Sequence, residues 1–464
     1  MSKSKGIILE REHWGSRIGF IMAAAGSAIG LGTLWMFPFL TGENGGGLFV
    51  LIYLFCTFFI GIPVFMAELV IGRKAQRGAV GVFSSLSGGS RLWRSVGWLG
   101  VLASFLIMSY YSTVAGWGIN YILMSLTNFY QGRTSEEISG VFEILRRSGD
   151  INIFWHLVFT LITVSVVFVG VRKGIERWSR VMTSGLLVLL LGLFFYSMTL
   201  DGFGEALHFM FYPDLSRFKP SGALEALGMS FYTLSLGQGI MITYGSYMKR
   251  EDNIPKIGLI IGTMDIVISI IAGLMIFPII FTFGFEPQGG SGLIFKSLPV
   301  LFDKLPGTQL VSVMFFLLFV FTALTSAVAL VEVVVANLMD LYSMPRKKAA
   351  LWVGAAAFIV GIPSALSGSE GLFSSWSTMF GSNFFDTVSY IVTTWILPLG
   401  GGLTAVFVGW YLDKELCYSE IEFGSGLHWF ARIWLFLLRW LVPFSILAVL
   451  LYKAELIDFD KFFV

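Results

Sequence analysis

The chain has 464 residues, 56% of them hydrophobic and 13% charged, about half the charged share of an ordinary soluble domain. That balance excludes a soluble protein and points to an all-α integral membrane protein embedded in a lipid bilayer. The formal net charge of +2 says little about partners, because the cationic residues cluster in loops and nothing resembles a nucleic-acid patch.

In chain order, eleven stretches of about 20 apolar residues, the length that crosses a bilayer, fall at 17–39, 48–72, 96–125, 152–171, 178–200, 222–248, 257–283, 309–341, 348–366, 384–412 and 430–452. They form one transmembrane domain, 1–464, with no separate soluble domain. The first stretch is longer than a signal-peptide core, lacks a small-residue cleavage site and is read as retained. Cys56 and Cys417 make no metal or disulfide spacing. Arg73, Lys74, Arg77, Arg91 and Arg94 follow the second span, Arg172, Lys173, Arg177 and Arg180 the fourth, and Arg346, Lys347 and Lys348 the eighth. Basic loops stay in the cytoplasm, so the reading is a multi-pass protein of the cell membrane with a cytoplasmic N-terminus. An odd number of spans then puts the C-terminus outside. The loop after the tenth span, with Asp413, Glu415, Glu420 and Glu422, fits that rule poorly. On the other side, residues 201–220 read as a surface helix or Ω-loop.

Two spans are badly built for unbroken helix. Gly26, Gly30 and Gly32 interrupt the first, each disfavouring helix by about 1 kcal/mol relative to Ala. Ser235-Leu236-Gly237-Gln238-Gly239 interrupts the sixth. A break in lipid is tolerated where it is buried or lines a cavity, and half-helix ends there aim amides at anions and carbonyls at cations. Paired breaks at matching positions point to a midplane binding site between two inverted five-helix repeats. These are helices 1–5 (about 11–200) and 6–10 (about 222–412), with one extra helix at about 430–452. The alternative is that these glycines only let neighbouring helices pack closely.

Glu68, Asp265 and Glu332 are carboxylates deep in spans, each costing at least ~2.5 kcal/mol at the centre of an isolated helix. Glu68 is read as a structural acceptor for amides freed by a break, and Asp265 as a group that neutralises a cation. Glu332 has no assigned partner, and both a second backbone cap and a protonated acid remain open. Thr322, Thr325 and Ser326 place hydroxyls on one helix, where they suit a hard cation or back-bond to their own helix. His13, His156, His208 and His428 are read as lying near membrane edges, so acid–base machinery for an enzyme is thin.

Arg11-Glu12-His13-Trp14, Gly26-Ser27-Ala28-Ile29-Gly30-Leu31-Gly32, Phe37-Pro38, Glu43-Asn44-Gly45-Gly46-Gly47, Gly61-Ile62-Pro63, Tyr232-Thr233-Leu234-Ser235-Leu236-Gly237 and Ile242-Thr243-Tyr244 with Ser246-Tyr247 together resemble the neurotransmitter:sodium symporter family. Eleven spans resemble its bacterial amino-acid branch. The resemblance implies the leucine-transporter fold with broken helices 1 and 6, and Na⁺-coupled uptake of an amino acid by alternating access, rather than an enzyme. An ion channel or a non-transporting amino-acid sensor on the same fold is the alternative.

Carried over by that resemblance, the substrate carboxylate meets the amides of Leu31 and Gly32 and the hydroxyl of Tyr111. The amino group meets carbonyls near Ala28, Tyr232 and Thr233, with Ser235 adjoining. Ile107, Val114, Tyr232, Gln238, Ala327 and Leu330 line a mostly apolar side-chain pocket, and Gly30 leaves room for the carboxylate. The second sodium site takes carbonyls of Gly26, Ile29 and Thr322 with hydroxyls of Thr325 and Ser326. The first takes Ala28, Thr33, Thr233 and Asp265, with Thr33 and Asp265 where the family usually or frequently has Asn.

Arg11, Tyr247 and Asp340 match the family's inner latch, with Trp14 packed beside it, and Tyr111 and Tyr232 match the outer lid. Met36 replaces the outer gate arginine and Ser389 stands for its acid, Asp386 lying three residues earlier, which implies an outer gate closed by apolar contact. Tyr53 and Ser269 match parts of a chloride site, but Met229 replaces its glutamine. With Asp265 supplying the negative charge, no chloride requirement is expected. The substrate's side chain, the Na⁺ stoichiometry and the oligomeric state are not encoded in these motifs.

Overall fold

The computed structural model describes residues 11–216, 219–285, 292–369, 373, 375–423, 425–426 and 428–457. Among them the chain is helical, with a single isolated bridge between Gly46 and Pro213. The broken first span is α1 (Arg17–Ala28) and α2 (Gly32–Glu43), bent by 48°. It is followed by α3 (Gly47–Ala75) and α4 (Arg91–Leu126), the loop helix α5 (Ser135–Arg147), α6 (Gly149–Val169) and α7 (Val171–Ser197). The expected surface helix between spans is present as Phe203–Phe211. Next come α8 (Pro220–Thr233) and α9 (Ile240–Gly245), α10 (Ile254–Thr282), α11 (Thr308–Tyr342), α12 (Arg346–Leu366), α13 (Phe384–Tyr411) and α14 (His428–Lys453).

Nine of these helices are long and apolar enough to cross a membrane, or ten with the bent pair as one span, among the described residues. The difference from the expected eleven is the sixth span. It exists as α8 and α9, each too short to cross alone, separated by non-helical residues 234–239.

Proline shapes the spans in a way the hydropathy pattern does not show. Five of the seven wide π-helical turns among the described residues, Gly32–Met36, Thr57–Gly61, Leu293–Ser297, Ile391–Ile396 and Leu437–Leu441, end two residues before a proline: Pro38, Pro63, Pro299, Pro398 and Pro443. Proline has no N–H for the carbonyl four residues back, and its ring clashes with that carbonyl. A locally wider turn keeps most of the neighbouring backbone groups bonded, as a membrane interior demands.

The long helices α4 and α11 pack against each other more extensively than any other pair, and both face the broken span. The side chains of Ala23, Ala24, Ala25 and Ala28 on α1 and of Ala327, Val328 and Ala329 on α11 are buried. Small residues there let helix backbones approach closely where apolar lipid offers no hydrophobic drive. Exposed Phe55, Phe59, Trp352, Trp429 and Phe444 cover the outside of the bundle.

Candidate substrate and sodium site

The two breaks meet. Ser235, in the gap between α8 and α9, donates its hydroxyl to the carbonyl of Ser27 at the end of α1 at 3.0 Å. Ser326 on α11 donates to the same carbonyl at 3.1 Å. In the first break the amide of Leu31 donates to Tyr111 Oη at 3.3 Å. In the second, Gly237 and Gly239 have φ of 74° and 72°, a left-handed conformation that glycine adopts at little cost. The freed Gly237 amide donates to Glu68 Oε1 at 2.8 Å, and the amides of Met241 and Ile242 interact with the same carboxylate at longer range. Glu68 is fully buried in α3, where it replaces the backbone acceptors that the unwound segment has lost.

A small cavity lies between the breaks. It is lined by Ser27, Gly30, Leu31, Gly32, Ile107, Tyr111, Tyr232, Ser235, Gln238, Ile240, Ser326 and Leu330. Of the substrate residues expected from the sequence, Leu31, Gly32, Ile107, Tyr111, Tyr232, Ser235, Gln238 and Leu330 are here. Ala28, Val114, Thr233 and Ala327 are buried but stand behind the lining. Ser27 and Ile240 were not anticipated. A Cβ on Gly32 would lie 2.5 Å from the ring of Tyr232, so glycine is what lets that ring close over the break.

Two oxygen clusters flank the cavity. In one, Asp265 on α10 is fully buried. Its Oδ2 accepts from Tyr53 Oη at 2.9 Å and its Oδ1 from Thr33 at 3.4 Å. Tyr53 Oη also lies 3.1 Å from Thr233 Oγ1 and 3.3 Å from Ser269 Oγ. Three of the four residues expected at the first sodium site are therefore together, with no basic side chain in ion-pair range among the described residues. In the other cluster, Thr325 donates to Thr322 O at 2.9 Å, and Ser326 reaches the same carbonyl at 3.4 Å. A Cβ on Gly26 would stand 3.2 Å from both Thr325 Cβ and its methyl carbon, so the α1 backbone lies directly against this residue, and Ser326 Oγ bonds to that backbone at Ser27 O. The back-bonding of these hydroxyls and their availability to a cation are compatible, because a hydroxyl that donates keeps its lone pairs. Neutral carbonyl and hydroxyl oxygens fit a hard alkali cation. No group of three or more His, Cys, Asp or Glu suited to a metal ion occurs among the described residues.

At one end of the bundle Arg11 Nη1 contacts both carboxylate oxygens of Asp340 at 2.6 Å, and its Nη2 donates to Ser246 Oγ at 2.5 Å. Its guanidinium sits 4.8 Å from the centre of the Tyr247 ring. Trp14 packs edge-on against Tyr244 and Tyr247, at 5.1 and 6.1 Å between centroids, and donates Nε1–H to Tyr244 O. Glu332, whose partner the sequence left unassigned, has side-chain partners here. Glu332 is fully buried and accepts from Tyr247 Oη at 2.5 Å and from Arg346 Nη1 and Nη2 at 2.6 and 2.9 Å. Arg346 also lies 3.7 Å from Glu12. His156 has a structural place in the bundle. It is fully buried within α6, 2.7 Å from Ser112 Oγ and 2.9 Å from Phe358 O, tying α6 to α4 and α12.

At the other end, Tyr111 and Tyr232 border the central cavity, and Phe385 packs edge-on against Tyr110 at 5.5 Å. The sequence reading expects closure here by apolar contact rather than an ion pair, and Asp386 makes no ion pair among the described residues. Asp386 and Arg146 line one cavity of about 70 Å³ with Asn383, Ser364, Trp35 and Trp117, so both signs of charge are present above the aromatic layer.

A helical membrane bundle whose two broken helices converge on a small cavity beside ionic oxygen clusters defines an ion-coupled transporter, not an enzyme. The chain matches the sodium:neurotransmitter symporter family over residues 11–136 and 128–462, and it belongs to that family. It is 38% identical to a sodium-dependent transporter of Bacillus subtilis (strain 168), over 96% of this chain and 98% of the relative. It is 33% identical to one of Haemophilus influenzae, over 95% and 97%. Its fold matches the crystal structure of MhsT in complex with L-phenylalanine with a TM-score of 0.87 and 41% identity, covering 95% of this chain and 99% of that one.

Proposed function

We propose that this sodium-dependent transporter imports an α-amino acid with a largely apolar or aromatic side chain by alternating access. The observation that carries this reading is the cavity itself. Backbone amides and hydroxyls from both breaks gather at one part of it, where a zwitterion's charged groups would sit. Ile107, Ile240 and Leu330 line the rest. L-Phenylalanine in MhsT supports the same substrate class. The carboxylate would meet Leu31, Gly32 and Tyr111, and the ammonium the carbonyls near Ala28, Tyr232 and Thr233. Residues 11–200 and 222–412 would act as inverted repeats around this point. The Arg11–Asp340 latch would lie on the cytoplasmic side with the N-terminus, and the C-terminus would lie outside. Binding of each of the twenty amino acids to purified protein, with and without Na⁺, tests this. Equal binding of a decarboxylated amine and its parent amino acid would defeat it.

Two sodium ions have candidate places. Gly26, Ile29, Thr322, Thr325 and Ser326 offer neutral oxygens for one, and Ala28, Thr33, Thr233 and Asp265 offer a charged set for the other. One ion moving through ~100 mV gives about 2.3 kcal/mol, and a tenfold gradient adds about 1.4 kcal/mol, so a single coupled ion supports roughly 500-fold accumulation. Replacing both Thr325 and Ser326 with Ala abolishes Na⁺-dependent accumulation in proteoliposomes while ligand-free protein stays folded by circular dichroism.

Asp265 also accounts for the charge balance. A fully buried carboxylate with hydroxyl donors and, among the described residues, no basic partner calls for a cation, and it repels an anion from the neighbouring Tyr53 and Ser269. Transport therefore proceeds unchanged when gluconate replaces chloride. Asp265→Asn raises the Na⁺ concentration needed for half-maximal uptake, by tenfold or more, and makes uptake responsive to chloride. A wild type that stops in gluconate would overturn this assignment.

A further inference from the structure

The central cavity contains a polar group that the protein leaves unused. Gln238 is 5% exposed and lines the cavity. Its backbone is committed: its carbonyl accepts from Ser104 Oγ at 2.7 Å, and the glycines on either side hold left-handed turns. Its side-chain amide makes no hydrogen bond among the described residues. Besides the serines Ser27, Ser235 and Ser326, the side chains lining the same cavity are Ile107, Ile240, Leu330, Leu31 and the rings of Tyr111 and Tyr232. The amide therefore faces the cavity without a protein partner, where an apolar residue of similar size would serve packing equally well.

We propose that Gln238 determines specificity, and that the transported amino acid carries a neutral hydrogen-bonding group on its otherwise apolar or aromatic side chain, such as a phenol, an indole N–H or a hydroxyl. This rests on the amino-acid reading of the cavity. A carboxamide both donates and accepts, so it serves a neutral polar group of either kind. It gives no counter-charge to an acidic or basic side chain, which these walls therefore exclude. An isostere lacking the polar group leaves the amide unpaired, and a site built to hydrogen-bond its ligand rejects such an analogue strongly.

The test is equilibrium binding in Na⁺ of matched pairs, tyrosine with phenylalanine and threonine with valine, to wild type, Gln238→Leu and Gln238→Met. In the pair that binds more tightly, the wild type prefers the polar member by tenfold or more, and both variants lose or reverse that preference. The proposal is overturned if the wild type binds the apolar member equally well in every pair, or if the preference survives in the variants. The wild-type ratios decide alone should neither variant fold. If no amino acid binds in a Na⁺-dependent manner, the reading of the cavity falls, and this inference falls with it.

Discussion

Near Arg11, a partly exposed ion pair to Asp340 and the buried pair of Arg346 with Glu332 join the N-terminal segment to helices α11 and α12. Near Tyr232, the same bundle is closed by aromatic rings beneath a polar cavity in which Arg146 and Asp386 are not in contact. Asp340 holds Arg11 at 2.6 Å and Glu332 holds Arg346 at 2.6 Å, whereas no ion pair crosses the cavity at the other end among the described residues. A buried pair adds little over an apolar replacement, yet leaves a severe penalty when one partner is removed. Aromatic contacts lose energy gradually as they separate. The latched end is thus suited to two discrete states, and the aromatic end to graded movement.

Arg346→Gln tests this contrast most severely. It strands the fully buried Glu332 carboxylate, at a cost of about 3–5 kcal/mol. Thermal unfolding in detergent should drop steeply, or a fluorophore at the latched end should report an open population, while the double variant Arg346→Gln with Glu332→Gln recovers much of the loss. Recovery no better than additive would show that the pair is not the coupled unit. Trp14→Phe keeps the ring packing but removes the bond to Tyr244 O at 3.0 Å. It should destabilise the latch by about 1 kcal/mol, read as a several-fold faster opening. A still smaller effect is expected on the other side, where α5 is pinned by Glu143 to Lys296 and Arg146. Those two cations hold the Glu143 carboxyl below its usual range. Its contribution is therefore complete above the unfolded-state pKa and fades as pH falls through the lower folded-state value. Because Glu143 is partly exposed, the change should be slight. Proteolysis of the loop containing α5 at pH 7 and at pH 3.5 measures it.

Both helix breaks were readable because their cause is local: glycines at Gly30, Gly32, Gly237 and Gly239 announce themselves in sequence. Glu68 was readable for a related reason, since a carboxylate in a span needs donors and a break supplies them. Glu332 was not. Its partner Arg346 sits beyond the end of α11, among residues that look like an ordinary basic loop, and only the turn at Ser343–Pro345 folds it back against the helix. The positive charge there serves as an orientation signal in sequence and as a buried counter-ion in the fold. The wide turns had a sequence signal in the prolines of apolar runs, but hydropathy counts Pro38 or Pro398 only as weak residues, not as missing donors. Arg146, which lines one cavity with Asp386, was missed because it arrives from a loop helix far away in sequence.

A π-helical turn contains an extra residue, which offsets the helix on its far side by about 100° of rotation. If such a turn migrates by one hydrogen bond, the offset travels with it and the helix ahead swivels without unravelling. Gly32–Met36 lies immediately beyond the break in the first span, between Leu31 and Gly32 at the central cavity and Met36 and Leu40 at a second cavity shared with Leu397 and Pro398. A slip of that turn by one residue would rotate Met36 and Leu40 relative to the Leu31 amide beside Tyr111.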